Sequence, residues 1–285
     1  MTEPRMGKSI CLFGDSGSGK STQIGQLAKR RFKEDGKKTW YVGMDKGGFG
    51  SIQPLVTLGV LIPHLLKEDD DVWKFLSDAA SGVAIPSDVG VVAFDSGTSG
   101  AEALLASCAR LAAHGEQIGG RPAPKFTIGK GADALRVGTN VDSHYLVVQS
   151  FMLDVIWKST WLTHKGIDVI WTFGMHRGEK EDSTTILGPK LAGKALTPHM
   201  PKWFNLTFMI QSIPVEGAAS RHVLSLQEQP VLGGTGMSFG NPRYPMEATT
   251  PIPATVEPAN LGLALDLIRN GELEAEEALR AELGL

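Results

Sequence analysis

The chain has 285 residues, and its 28 lysines and arginines stand against 31 aspartates and glutamates, for a net charge of −3. This balance excludes a surface that attracts nucleic acid over its whole extent, so any such site must be local. The two cysteines and 42 % hydrophobic residues exclude a disulfide scaffold and allow a large core. Because we find neither a signal-peptide pattern nor an apolar run of about 18 residues, we expect a cytoplasmic protein without membrane contact.

The first predicted elements in chain order enclose a glycine-rich loop. Ser9–Phe13 has the apolar character of a buried strand, and residues 21–33 are predicted to form a helix that ends near Gly36. Residues 14–21 between them read Gly-Asp-Ser-Gly-Ser-Gly-Lys-Ser, which matches the phosphate-binding pattern G-x-x-x-x-G-K-[ST]. A preceding strand and a following helix are the context that this motif requires. The sequence therefore predicts a nucleoside triphosphate site.

Each residue type in this loop has a physical role in binding a polyphosphate. The three glycines let the backbone turn its N–H groups toward the phosphates. Lys20 supplies a point charge to the β- and γ-phosphates, and the Ser21 hydroxyl can ligate Mg²⁺. The predicted nucleotide-binding residues are Gly14, Asp15, Ser16, Gly17, Ser18, Gly19, Lys20, Ser21 and Thr22.

Apolar strands and helices alternate along the rest of the chain. We expect strands at residues 39–43, 89–94 and 168–173, a strand pair at 206–213 and 222–226, and helices at 71–80, 99–114, 142–165 and 260–283, the last being one or two helices. Loops are predicted at 115–140, 178–201 and 230–258. This alternation favours an α/β fold with a mostly parallel sheet flanked by helices, an antiparallel edge hairpin and C-terminal helices. Residues 1–250 would form the main domain and residues 251–285 a helical extension.

Two aspartates at predicted strand ends are candidates for the chemistry. Asp95 follows Val-Val-Ala-Phe, and a carboxylate there can hold Mg²⁺ through water; the alternative is a cap on the following helix. Ser96 comes next, where many P-loop motors have the glutamate that activates water. Asp-Ser is instead the pattern of RecA-type ATPases, whose catalytic carboxylate lies at the end of another strand. Asp45 is the available carboxylate for a general base, and its alternative is a turn residue.

Four segments together resemble RecA-like P-loop ATPases of the kind encoded by bacteriophages, which include relatives of single-strand annealing recombinases. These segments are residues 14–21, 91–96, 168–176 and 188–194. The resemblance implies that Thr172 and His176 sense the γ-phosphate. It also implies a homo-oligomer, a ring or filament, in which Lys194 or Lys190 reaches a neighbour's phosphates as an arginine finger does, with Arg177 and Lys180 as rivals.

Residues 115–140 are glycine-rich and contain four cations, Arg121, Lys125, Lys130 and Arg136. A basic flap of this kind can track the backbone of single-stranded DNA, and the alternative is a surface loop without function. The sequence thus predicts an ATPase that uses ATP and Mg²⁺ and acts on single-stranded DNA in phage recombination or replication. The alternatives are a P-loop motor or assembly ATPase that acts on protein partners, a nucleotide-binding scaffold without turnover, and a small-molecule kinase, which the absence of arginine from 178–196 disfavours.

Overall fold

The structure is a computed structural model that describes residues 6–45, 48–67, 71–114, 125–128, 135–179, 185–192, 197–227, 229–230, 237–238, 241–242, 245 and 247–283. The helices are α1 (Lys20–Asp35), α2 (Gln53–Thr57), α3 (Val72–Ser81), α4 (Gly97–Ala113), α5 (Asp142–Thr160) and α6 (Leu261–Leu283). The strands are β1 (Ser9–Phe13), β2 (Lys38–Gly43), β3 (Leu61–Leu65), β4 (Val89–Asp95), β5 (Lys125–Ile128), β6 (Leu135–Gly138), β7 (Asp168–Glu179), β8 (Thr185–Lys190), β9 (Leu206–Val215), β10 (Ala218–Ser225), β11 (Gln229–Pro230), β12 (Met237–Ser238), β13 (Asn241–Pro242) and β14 (Thr255–Val256). Within these ranges, no helix combines the length and the apolar composition needed to cross a membrane.

Six parallel strands form the centre of the sheet. They lie in the order β3, β2, β4, β7, β1, β9, and every neighbouring pair in this row is parallel. Strand β10 then pairs antiparallel with β9, and β14 pairs antiparallel with β10. The predicted mostly parallel sheet with an antiparallel hairpin at its edge is confirmed.

Buried side chains on the two faces of this sheet form two cores. On β1, Cys11 and Phe13 belong to one core, and the alternating Ile10 and Leu12 belong to the other. The first core is covered by α3, α4 and α5, which contact one another, and the second is covered by α1 and α6. Helices therefore flank both faces, as predicted.

The C-terminal part of the described chain forms one helix, α6. Leu265 and Ile268 of this helix are buried in the core that it shares with α1. The side-chain amide of Gln23 on α1 connects the two helices, because it donates to the Ala259 carbonyl (3.0 Å) and accepts from the Leu261 N–H (2.7 Å). The proposed division of the chain at residue 250 stays a prediction.

Strand β7 is longer than expected, and the prediction of a loop over residues 178–201 is wrong in part. The first half of β7 lies between β1 and β4, while its second half pairs antiparallel with β8, with Gly174 opposite Lys190. Gly188 and Pro189 of β8 have the composition of a turn. Pro189 lies opposite Met175 of β7, and the pairing of β8 with its other neighbour, β12, is at Ile186.

The prediction of a loop over residues 115–140 is also wrong in part. Strands β5 and β6 pair antiparallel there, with Phe126 opposite Val137. Short runs with β-branched or aromatic residues stand between the glycines of this segment, and such runs favour a hairpin. Arg121 and Lys130 lie outside the described residues, as do the side chains of Lys125 and Arg136. Contact of these cations with DNA stays a prediction.

Candidate nucleotide-binding site

The glycine-rich loop lies between β1 and α1 at the carboxyl edge of the parallel strands, where α/β sheets bind ligands. Gly17 and Gly19 have φ angles of +74° and +97°, which side-chain-bearing residues rarely adopt. Gly14 is required for a different reason. A Cβ there would lie 2.3 Å from the Ile210 carbonyl oxygen and 2.7 Å from Ser18 Oγ. Two of the three glycines thus have φ angles that favour glycine, and the third lies where a side chain would not fit.

We expect Gly14→Ala to destabilise the protein by about 1–3 kcal/mol, the usual cost of forcing an extra methyl group into a packed interior. The backbone of β9 would have to move, since Ile210 contributes its carbonyl to the clash. Chemical denaturation measures the change. Gly50→Ala is the matched control because nothing lies within 4 Å of its added Cβ. Equal stabilities of the two variants would contradict the prediction.

The Lys20 side chain lies across the loop. Its Nζ donates to the carbonyl oxygens of Gly14 (3.0 Å) and Asp15 (2.8 Å). Burial lowers the pKa of Lys20, and the negative charges of Asp95, Asp15 and Asp45 oppose this shift. The ammonium group is therefore held among carbonyl oxygens and carboxylates, next to the backbone that would enclose the phosphates.

The Asp95 carboxylate is the centre of the site. It is 3 % exposed, and its Oδ2 accepts from Ser21 Oγ (2.6 Å) and from the Tyr41 hydroxyl (2.8 Å). Its Oδ1 accepts from the Thr172 hydroxyl. The alternative role of a helix cap belongs to Ser96, whose Oγ accepts from the Ser99 N–H at the start of α4.

The oxygens of Ser21 and Asp95 fit a Mg²⁺ site. Magnesium prefers hydroxyl, carboxylate and water oxygens, and it often binds proteins through one or two side chains and several waters. Ser21 and Asp95 already lie in hydrogen-bond contact at 2.6 Å, at the wall of a cavity. Both residues were predicted as metal ligands, and the structure brings them together beside Lys20.

This cavity has a volume of about 600 Å³ and opens over the loop. Its walls are formed by Ser16, Gly17, Gly19, Lys20, Ser21, Thr22, Asp45, Ser51, Asp95, Ser96, Thr98, Ser99 and Gly174. Asp45 lies at the end of β2, exposed, and its N–H donates to the Asp95 carbonyl (3.3 Å). The candidate general base therefore faces the same space as the phosphate loop, and its catalytic role stays a prediction.

The other predicted site residues have different positions. Thr172 is fully buried and binds Asp95 instead of lining the cavity, and His176 is half-buried on β7, opposite Gly188. Exposed Lys190 lies 3.4 Å from a Glu102 oxygen. The roles that the resemblance implies for these residues stay predictions.

Two of the candidate trans-acting cations, Lys194 and Lys180, lie outside the described residues. Their rival Arg177 lies beside the phosphate loop of its own chain, since its guanidinium is 3.2 Å from Asp15 Oδ2. Both partners of this ion pair are more than half exposed, so the contact contributes little to stability.

The sequence interpretation missed Tyr41, although the strand register contains a signal for it. Tyr41 lies opposite Ala93 in the β2–β4 pair, so it is on the same face as Asp95 and diagonal to it. A long side chain can span that distance. Finding it required knowing that β2 and β4 are neighbours.

Two further polar residues near the loop were also missed. Thr98 Oγ1 accepts from the Gly174 N–H (2.9 Å) and donates to the Lys190 carbonyl (2.6 Å), so it joins α4 to both β7 and β8. His222 on β10 places its Nδ1 3.0 Å from the Ser18 carbonyl oxygen. Neither residue stands in a recognisable motif, so only the fold reveals these contacts.

No protein-family model matches this chain, and no curated protein does either. Among solved structures, a KaiC-like protein from the archaeon Pyrococcus horikoshii is similar with a TM-score of 0.44 and 11 % identity, over 81 % of this chain and 89 % of that one. The flagellar accessory protein FlaH from Methanocaldococcus jannaschii is similar with a TM-score of 0.38 and 13 % identity, over 78 % of each chain. By its own strand order, phosphate loop and antiparallel edge, this chain has a RecA-like P-loop fold.

Proposed function

We propose that this protein is an ATPase that binds Mg·ATP in the cavity above the loop. The observation that carries the proposal is the contact between Ser21 and the buried Asp95, beside Lys20, in one cavity of about 600 Å³. Phosphoryl transfer needs positioning and neutralisation of charge more than covalent chemistry from the protein. These three residues supply both functions at one place.

Each residue has a defined task in this proposal. The backbone of the loop and the Lys20 ammonium bind the β- and γ-phosphates, while Ser21 and Asp95 hold the metal ion. Bound Mg²⁺ neutralises charge that develops on the phosphate oxygens. Asp45 orients the attacking water and accepts its proton, since it faces the cavity from the end of β2.

We further propose that nucleotide state is coupled to single-stranded DNA, in phage recombination or replication within the host cytoplasm. This part rests on the sequence resemblance and on the four cations at residues 121–136. It includes a homo-oligomer, a ring or a filament, in which Lys194 or Lys190 reaches the neighbour's nucleotide. The resemblance to RecA-like ATPases is thus the reason for proposing both the coupling to DNA and the homo-oligomer.

The test measures ATP turnover with Mg²⁺ or EDTA, and binding of a labelled DNA single strand over a range of salt concentrations, with and without ATP. We expect turnover to require Mg²⁺. Alanine at Arg121, Lys125, Lys130 and Arg136 should reduce the slope of log affinity against log salt by about 3, because each lost phosphate contact contributes about 0.7. The matched control replaces four cations on helices, namely Lys29, Lys33, Lys74 and Lys158.

Each outcome of this experiment decides one part of the proposal. A protein that hydrolyses ATP but ignores DNA at low salt acts on protein partners instead. If the slope of log affinity against log salt changes equally in the control variant, DNA binding depends on the general surface charge and not on the four cations at residues 121–136. Absence of turnover in every condition leaves a nucleotide-binding scaffold.

A further inference from the structure

Three hydroxyl groups surround the Asp95 carboxylate. Ser21 and Tyr41 donate to Oδ2 and Thr172 donates to Oδ1. An ionised carboxylate has about four acceptor positions. Described residues therefore occupy three of these positions, and the fourth is the one that a water molecule bound to the metal would take.

We infer that Tyr41 is a positioning residue for the metal site, acting with Thr172 to fix the orientation of the Asp95 carboxylate toward the metal-bound water. The inference rests on the proposed function and extends it to a residue without any place in the phosphate-binding motif. Tyr41 is not among the residues that line the cavity, so in this proposal it acts through Asp95.

Tyr41 and Thr172 donate to the Asp95 carboxylate from opposite sides. Tyr41 belongs to β2 and Thr172 belongs to β7, and these strands are the two neighbours of β4, which ends at Asp95. Ser21 reaches the same carboxylate from α1. Rotation of the carboxyl group about its Cβ–Cγ bond would break bonds on both sides, so the strand pairing itself fixes its orientation.

The ring of Tyr41 is closely packed in the core. A Cβ on Gly43 would lie 2.8 Å from Tyr41 Cε1, so the ring passes over a residue that lacks a side chain. The side chain is fully buried, and Phe49 lies against it with ring centroids 6.3 Å apart. The packing of the ring therefore restricts the positions that the hydroxyl can take.

The donor in this contact is the Tyr41 hydroxyl. Burial raises the pKa of its phenol, and the adjacent Asp95 charge raises this pKa further.

The test uses Tyr41→Phe, Thr172→Val and Thr172→Ser, and it measures the affinity of a fluorescent ATP analogue as a function of Mg²⁺ concentration and in EDTA. Loss of a group that orients a metal ligand typically weakens metal binding by 10–100-fold. We therefore expect the half-saturating Mg²⁺ concentration to rise about tenfold or more in Tyr41→Phe and Thr172→Val. The affinity in EDTA should stay unchanged, and Thr172→Ser, which keeps a hydroxyl, should restore the original Mg²⁺ response.

Ser159→Ala is the control for loss of a buried hydrogen bond elsewhere, because Ser159 Oγ accepts from Trp171 Nε1 at 2.9 Å. A folded Tyr41→Phe with unchanged Mg²⁺ response overturns the inference, and so does an equal shift in Ser159→Ala. If Tyr41→Phe fails to fold, the half-saturating Mg²⁺ concentrations of Thr172→Val and Thr172→Ser are compared instead. Equal values in these two variants count against the inference.

The result separates this inference from the proposed function. Nucleotide binding that depends on Lys20 but is indifferent to Tyr41 and Thr172 refutes the inference alone. A wild-type protein that binds no nucleotide, with or without Mg²⁺, refutes both.

Discussion

Lys20→Ala is expected to lower ATP turnover by about 10²–10³-fold, the usual loss when one preorganised donor to a developing negative charge is removed. The Lys20 ammonium is the cation held inside the loop, through its contacts with the Gly14 and Asp15 carbonyls. Without it, the phosphates would meet the Asp95, Asp15 and Asp45 charges with less compensation. Steady-state turnover and equilibrium binding of ATP measure the two parts of this effect.

The control for Lys20→Ala is Lys29→Ala, which removes an exposed lysine from the same helix. Its turnover and nucleotide affinity should match those of the wild type. If Lys20→Ala also matches the wild type, the cavity over the loop is not a nucleotide site and the proposed function fails.

Asp45→Asn is expected to reduce kcat by about 10²–10⁴-fold, the range that a positioned general base contributes, while ATP affinity changes little. An asparagine keeps the shape of the side chain and loses the ability to accept a proton from water. Asp45 lines the cavity from the end of β2, and it lies outside the phosphate loop itself. A single-turnover measurement isolates the chemical step.

Asp15→Asn is the matched control, since Asp15 also acts on Lys20 through its charge. Both variants remove one negative charge near the ammonium group, but only Asp45 is proposed to take a proton. Equal losses of kcat in the two variants would show that the effect comes from the lost negative charge and not from proton transfer. Asp45 would then be a turn residue at the end of its strand.

Much of the fold follows from local sequence. Buried parallel strands are apolar along their whole length, so β1 and β4 are visible without any partner. The loop is visible because its glycines, lysine and serine have fixed spacing. Asp95 is visible because a single charged residue ends an apolar run.

Other elements depend on tertiary structure. Strand β3 was missed because Pro63 lies in its centre. Proline is tolerated there since, among the described strands, β3 pairs with β2 alone, at the edge of the sheet. The contact between Tyr41 and Asp95 depends on which strands are neighbours, and that order cannot be read from either segment alone. Predictions based on local pattern therefore found the phosphate loop and Asp95, but they missed Tyr41 and the hydrogen bond from Thr172 to the Asp95 carboxylate.

The strand order also determines when the phosphate loop can form during synthesis of the chain. Strand β1 leaves the ribosome first, yet its sheet neighbours β7 and β9 begin only at Asp168 and Leu206. Gly14 then needs the Phe173 carbonyl, which accepts from its N–H (3.2 Å), and it packs on Ile210. Strands β2, β3 and β4 can pair earlier, because their contacts are closer in sequence. The phosphate loop thus acquires both of its walls only after β9 has been synthesised.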